Sequence, residues 1–171
     1  MKSQKKIVFF IIIFILLYVC WLLLYDFWIA PQTALDSFLI EKVGRSSAWL
    51  LALFGWEGFY HVGYHTVYLG EKACVSVGAP CNGLEIFVVF SLFIIALPMS
   101  HLHKIWYIPM GIVFIFGINV LRVAALTLNA YYFPESIDFN HHYLFTFVVY
   151  LFVFFLWYFW VNYFVSFQKV Q

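Results

Sequence analysis

The feature that most limits this chain is a run that begins at Ile7 and meets no charged side chain until Asp26. A bilayer core about 30 Å thick is crossed by about 20 such residues in a helix rising about 1.5 Å each. Residues 7–25 meet that requirement, and the stretches 84–97 (starting near Cys81), 105–128 and 143–164 read as three further spans. In hydrocarbon every backbone polar group needs an internal partner, so spans are helices or closed barrels, and unbroken apolar runs lack the alternation of a barrel strand. The predicted fold class is all-α: a polytopic membrane helix bundle of four transmembrane helices, forming a single integral membrane domain over residues 1–171 with a core module at about 75–165.

Composition closes the soluble alternative. The chain is 65% apolar and 10% charged, against roughly half and a quarter in soluble domains. The lipid bilayer is its solvent. A net charge of +1 with no clustered basic face excludes nucleic acid as a partner. Lys2, Lys5 and Lys6 before the first apolar run imitate a signal peptide. The run is longer than an h-region of about 7 to 15 residues and no small-x-small cleavage site follows, so it is read as a retained helix.

Residues 33–59 carry Asp36, Glu41, Lys42 and Arg45 before an apolar piece too short to cross alone, and they read as an amphipathic or re-entrant helical element. An extended segment is expected at 65–77, where Thr66, Val67, Tyr68, Val75 and Val77 favour strand geometry. Lysines of short loops stay cytoplasmic. Lys2, Lys5, Lys6, Lys104 in the loop 99–104 and Lys169 in the tail put both termini inside, whereas the loop 131–140 carries only Glu135 and Asp138. Under that topology residues 26–80 and the loop before His141 are on the outer side.

Placing the polar residues on this frame brings Cys81, Arg122 and the pair His141, His142 to the outer face. Arg122 falls about 25 Å along its helix, in the outer third of the bilayer. An arginine there costs about 2.5 to 3.5 kcal/mol on insertion scales and marks a functional site unless it snorkels to the headgroups. Cys81 stands where a turn becomes a helix, so unpaired N–H groups and the positive end of the dipole favour a thiolate. Its alternatives are a structural thiol or a disulfide with Cys74; a free thiol is expected. An imidazole that moves the thiol proton and a guanidinium that holds an oxyanion complete a set sufficient for acyl transfer. Asn82, Glu85 and Asn119 are secondary candidates that orient the site or cap and pack. His61 and His65 are four apart, but Gly63 lies between them and a third ligand is lacking, so no metal is assigned.

Cys81-Asn82-Gly83-Leu84, then Asn119-Val120-Leu121-Arg122-Val123, then Asn140-His141-His142-Tyr143 resemble, in that order, the motifs of the exosortase/archaeosortase family of membrane transpeptidases. The resemblance covers roughly residues 75–160 and points to a short bacterial-type member. It implies Cys81 as nucleophile, Arg122 as stabiliser of the thiolate or oxyanion, and His141 as acid/base with His142 as the alternate. On a helix adjacent residues point about 100° apart, so one of the two aims at the site; Asn140 as N-cap favours His141. The resemblance also implies cleavage of a C-terminal sorting signal and transfer to an acceptor, in a multi-pass protein of the cell inner membrane with its site on the outer side. Its substrates would be exported proteins with a short C-terminal motif, a transmembrane helix and a basic tail, and no cofactor is implied. The rival readings are a non-catalytic membrane subunit and a small transporter, in which Arg122 is an ion-pair or ligand residue.

Overall fold

The computed structural model describes residues 2–97 and 101–165; the start of the loop 99–104 and the tail residue Lys169 lie outside the described residues. The first helix, α1 (Lys2–Leu24), passes through a π-turn at Tyr25–Ile29 into the short α2 (Ala30–Gln32). It is followed by α3 (Leu35–Leu53), three strands, α4 (Leu84–Ala96) and α5 (His101–Tyr132). Then come α6 (Ile137–Phe139), a π-turn at Asn140–Leu144, α7 (Phe145–Trp160) and a last π-turn at Val161–Val165. Among the described residues three helical stretches are long and apolar enough to cross a membrane: Ile7–Gln32, Leu102–Tyr132 and Pro134–Tyr163. α4 has 13 residues and spans about 20 Å at about 1.5 Å per residue, short of a full bilayer core. The structure is thus that of an all-α polytopic membrane protein, with three helical stretches of spanning length and one shorter apolar helix among the described residues.

Several boundaries differ from the sequence reading, each for a local reason. The element expected at 33–59 is helical only over α3, whose buried residues Ile40, Val43, Gly44, Ser47, Ala48 and Leu51 recur every three or four positions, the spacing of one helix face. The chain then turns at Phe54 and Gly55, and Gly58–His61 is a strand, β1, not the end of a helix. The segment expected to be extended at 65–77 holds β2 (Thr66–Leu69) and β3 (Lys72–Ser76), joined by Gly70-Glu71. The three strands form one antiparallel sheet in the order β1-β2-β3, with Phe59 opposite Tyr68 and Val67 opposite Val75. The loop expected at 131–140 is nearly absent, because a 3-10 turn at Pro134–Ser136 runs directly into α6.

α5 is the centre of the bundle and packs against α3, α4, α7 and β3. On its C-terminal half, α3, the sheet and the turn before α4 bury Val43, Leu51, Val67, Val77, Cys81 and Val123 together. On its other half, Phe87, Phe90 and Ile94 of α4 meet Tyr107 and Ile115 of α5 and Val153 and Trp160 of α7. α4 and α5 pack tightly at Gly111, where a Cβ would overlap the Phe90 ring. Several polar groups inside the bundle are paired to backbone carbonyls. The Ser47 hydroxyl reaches Val43 O and, across to α5, Val120 O at 3.1 Å. Lys104, 8% exposed, donates to Ile95 O and Leu97 O and so satisfies carbonyls at the end of α4. Lys72 of β3 does the same for Ala130 O and Tyr131 O at the end of α5. α1 packs less closely, touching α4 through Phe10 and Phe14 against Phe93 and through the Tyr18 hydroxyl on Glu85, and most of its other side chains are exposed.

Candidate active site

The short segment between the sheet and α4 holds the candidate nucleophile. Val77 N donates to His65 O at 2.8 Å, which ties the end of β3 back to the sheet. Ala79–Cys81 then forms a single 3-10 turn with Pro80 inside it. Gly83 follows at φ 84°, a left-handed backbone that glycine alone adopts without cost, and α4 begins at Leu84. Cys81 therefore precedes the helix by three residues and lies in the turn, rather than occupying the first helical turn.

Two asparagines fix this turn. Asn82, 2% exposed, accepts from Leu84 N through Oδ1 at 2.8 Å, capping α4, and donates through Nδ2 to Asp36 Oδ1. The other oxygen of Asp36 accepts from the Tyr25 hydroxyl at 2.8 Å. Asp36, noted in the sequence only as one charge of the 33–59 element and not as a site residue, thus links the π-turn after α1, the start of α3 and the cysteine turn. The sequence gives no signal of such a link, because its partners stand 11 and 46 residues away. Asn119, wholly buried on α5, donates through Nδ2 to Cys81 O at 2.7 Å. Its Oδ1 is buried without a hydrogen-bond partner.

The histidines enter from the last helix. Asn140 is not an N-cap: its Nδ2 donates to Asn129 Oδ1 at 3.1 Å and Ser136 Oγ at 3.3 Å, fastening the helix to the end of α5. His141 and His142 follow inside the π-turn, a wider coil held by i→i+5 hydrogen bonds. The Thr146 hydroxyl donates to His141 O at 3.0 Å. From this turn His141 Nε2 approaches Cys81 Sγ to 3.4 Å. His142 Nδ1 lies 2.9 Å from Asp138 O instead. Cys74 and Cys81 are both free thiols, and Cys74 Sγ is directed to Lys72 O at 3.4 Å.

Arg122 completes the group. It projects from α5 one turn beyond Asn119 and lines a cavity of about 470 Å³ together with Pro80, Asn82, Glu85, His141 and His142. Its Nε is buried without a hydrogen-bond partner, and among the described residues the one ion pair is Arg45 with Glu41. Glu85 shares the cavity but accepts from the Tyr18 hydroxyl of α1 at 3.1 Å. The pair of histidines named from spacing elsewhere does not form a helix face: His61 ends β1 and stacks on Tyr64, and His65 sits in a left-handed turn with Nδ1 2.9 Å from the Tyr60 hydroxyl.

A buried thiol in contact with an imidazole, beside a guanidinium with an unused donor, has the parts for nucleophilic attack on a carbonyl and for holding the oxyanion that results. The family model for the transmembrane exosortase (Exosortase_EpsH) matches residues 4–161. No curated protein and no solved structure matches the chain. That match takes in every helix of the bundle, and the chain belongs to the transmembrane exosortases, membrane-embedded cysteine transpeptidases that act on exported proteins carrying C-terminal sorting signals.

Proposed function

We propose that this protein cleaves the C-terminal sorting signal of exported proteins with Cys81 as nucleophile, Arg122 as oxyanion stabiliser and His141 as acid/base, and passes the cleaved protein to an acceptor. The observation that carries this reading is the 3.4 Å contact between Cys81 Sγ and His141 Nε2 at a cavity lined by Arg122. His141 takes the thiol proton as Sγ attacks the scissile carbonyl, and Arg122 holds the oxygen that becomes negative. The C–N bond then breaks, the imidazolium returns its proton to the leaving amine, and a thioester to Cys81 remains. The acceptor attacks that thioester and frees the thiol. Asn119 and Asn82 act on this chemistry indirectly, by fixing the backbone of the cysteine turn, and Glu85 shapes the cavity wall.

The site is assigned to the outer face of the cell inner membrane, within one integral membrane domain whose catalytic module is residues 75–165. The substrate's own transmembrane helix would deliver its motif to the cavity at that interface, and its basic tail would stay in the cytoplasm. The test is mass spectrometry of the C-termini of exported proteins from the same genome that share a motif, a helix and a basic tail. Cys81→Ser and Cys81→Ala are expected to leave every such C-terminus intact at unchanged membrane abundance of the enzyme. Processed termini persisting in either variant would remove Cys81 from the mechanism. Arg122→Ala is expected to slow processing about 100- to 1000-fold, the usual cost of one oxyanion donor.

A further inference from the structure

Two adjacent imidazoles face one cavity, and they are held differently. His141 uses Nε2 toward Cys81 Sγ, at 3.4 Å. His142 uses Nδ1 toward Asp138 O, at 2.9 Å. A carbonyl oxygen only accepts, so His142 Nδ1 must carry the hydrogen, and in the neutral ring the lone pair is then on Nε2. The carbonyl thus fixes His142 in the tautomer that leaves Nε2 free to accept a proton. Both residues line the cavity of about 470 Å³ that holds Arg122. Their rings stand edge to face with centroids 4.9 Å apart. On a regular helix adjacent side chains diverge by about 100°; here the pair sits in a π-turn, and both reach the same space.

We propose that His142 is a second catalytic residue with its own half-reaction: it is the general base that deprotonates the acceptor, while His141 serves the thiol. This rests on the thioester reading of Cys81. In the transfer step the acceptor's amine or hydroxyl attacks the thioester carbonyl, and its proton passes to His142 Nε2. The new C–N or C–O bond forms as the C–S bond breaks, and Cys81 leaves as thiolate. The proton on His142 returns to Sγ by way of the neighbouring His141, which restores both neutral rings and the thiol. Two bases let the leaving amine depart and the acceptor arrive along different walls of the cavity, so neither has to occupy the other's place.

The experiment uses the full chain in lipid nanodiscs with 4-nitrophenyl acetate as acyl donor and glycinamide as acceptor amine. The nitrophenolate burst reports acetylation of Cys81, and the steady-state rate with glycinamide reports transfer. His142→Ala is expected to keep the burst and to lower the steady-state rate about 100-fold, the scale of general-base catalysis. Added imidazole is expected to restore that rate in His142→Ala, which a purely structural defect would not allow. His142→Gln, which retains an N–H donor, gives the same reading if the alanine variant folds poorly. His141→Ala is expected to lose the burst. A steady-state rate unchanged in both His142 variants, or a burst lost along with it, would overturn the proposal. A burst persisting in Cys81→Ala would instead overturn the nucleophile assignment on which it rests.

Discussion

Cys81 Sγ and His141 Nε2 lie 3.4 Å apart although 60 residues separate them in sequence. One comes from the turn ahead of α4 and the other from the π-turn ahead of α7. Cys81 is only 7% exposed, so the contact is made by a largely buried thiol.

The contact predicts the reactivity of the thiol. In a chain with Cys20→Ser and Cys74→Ser, His141→Ala is expected to slow alkylation of Cys81 by iodoacetamide about tenfold to a hundredfold. This is what losing a charge-assisted hydrogen bond of about 1.5 to 3 kcal/mol implies. His142→Ala should leave the rate within about twofold. Mass spectrometry of timed samples measures both, and equal rates for the His141 variant and the parent would show that the contact does not activate the sulfur.

Gly83 holds the turn that presents Cys81. An added Cβ would sit 3.2 Å from the Phe87 ring and 3.3 Å from Asn119 Nδ2, at φ 84°. Gly83→Ala is therefore expected to cost at least about 1 to 2 kcal/mol from the left-handed backbone alone, a fall in Tm of about 2 to 8 °C. Thermal unfolding in detergent, followed by tryptophan fluorescence, reads this. A Tm equal to the parent's would mean that the turn relaxes freely.

Helix contact at Gly111 has a reciprocal test. Gly111→Ala places a Cβ inside the space of the Phe90 ring and is expected to destabilise the bundle by about 1 to 3 kcal/mol, as overpacking does. Adding Phe90→Leu should recover part of the loss, because the two changes share one contact. Strict additivity of the two in chemical denaturation would count against close packing there.

Topology and acidity meet at Cys74, on the half-buried face of β3. Burial pushes its thiol above the usual value, and a backbone hydrogen bond and the Lys72 ammonium pull partly back. A raised pKa keeps the thiol protonated to higher pH, so the rate of maleimide labelling should reach its midpoint at higher pH than at an exposed cysteine in an Asp138→Cys variant. In intact cells an impermeant maleimide is expected to label both of these positions and not a cysteine at position 103. Labelling at 103 would invert the assignment of the site to the outer face.

The fold class was legible because its cause is local: an apolar run such as Ile7 to Tyr25 has no stable place in water whatever the rest of the chain does. The helix of residues 35–53 was legible for a similar reason, since the spacing of Ile40, Val43, Ser47 and Leu51 is a property of one segment. β1 was not, because Phe59 becomes a strand residue only by pairing with Tyr68 of the next strand. Nor was the early start of the last helix, which depends on Asn140 binding Asn129 and Ser136. Cys81, Arg122, His141 and His142 could be named as reactive residue types from the sequence, and a helical reading assigned their common face. Their distances could not be read there. They follow from α5 packing between α4 and α7, from Asn119 holding Cys81 O across helices, and from a π-turn that turns two neighbouring imidazoles into one cavity. Chemical type is written residue by residue, whereas proximity is a property of the packed bundle, and at this site only the packing brings a sulfur and a nitrogen 60 residues apart into contact.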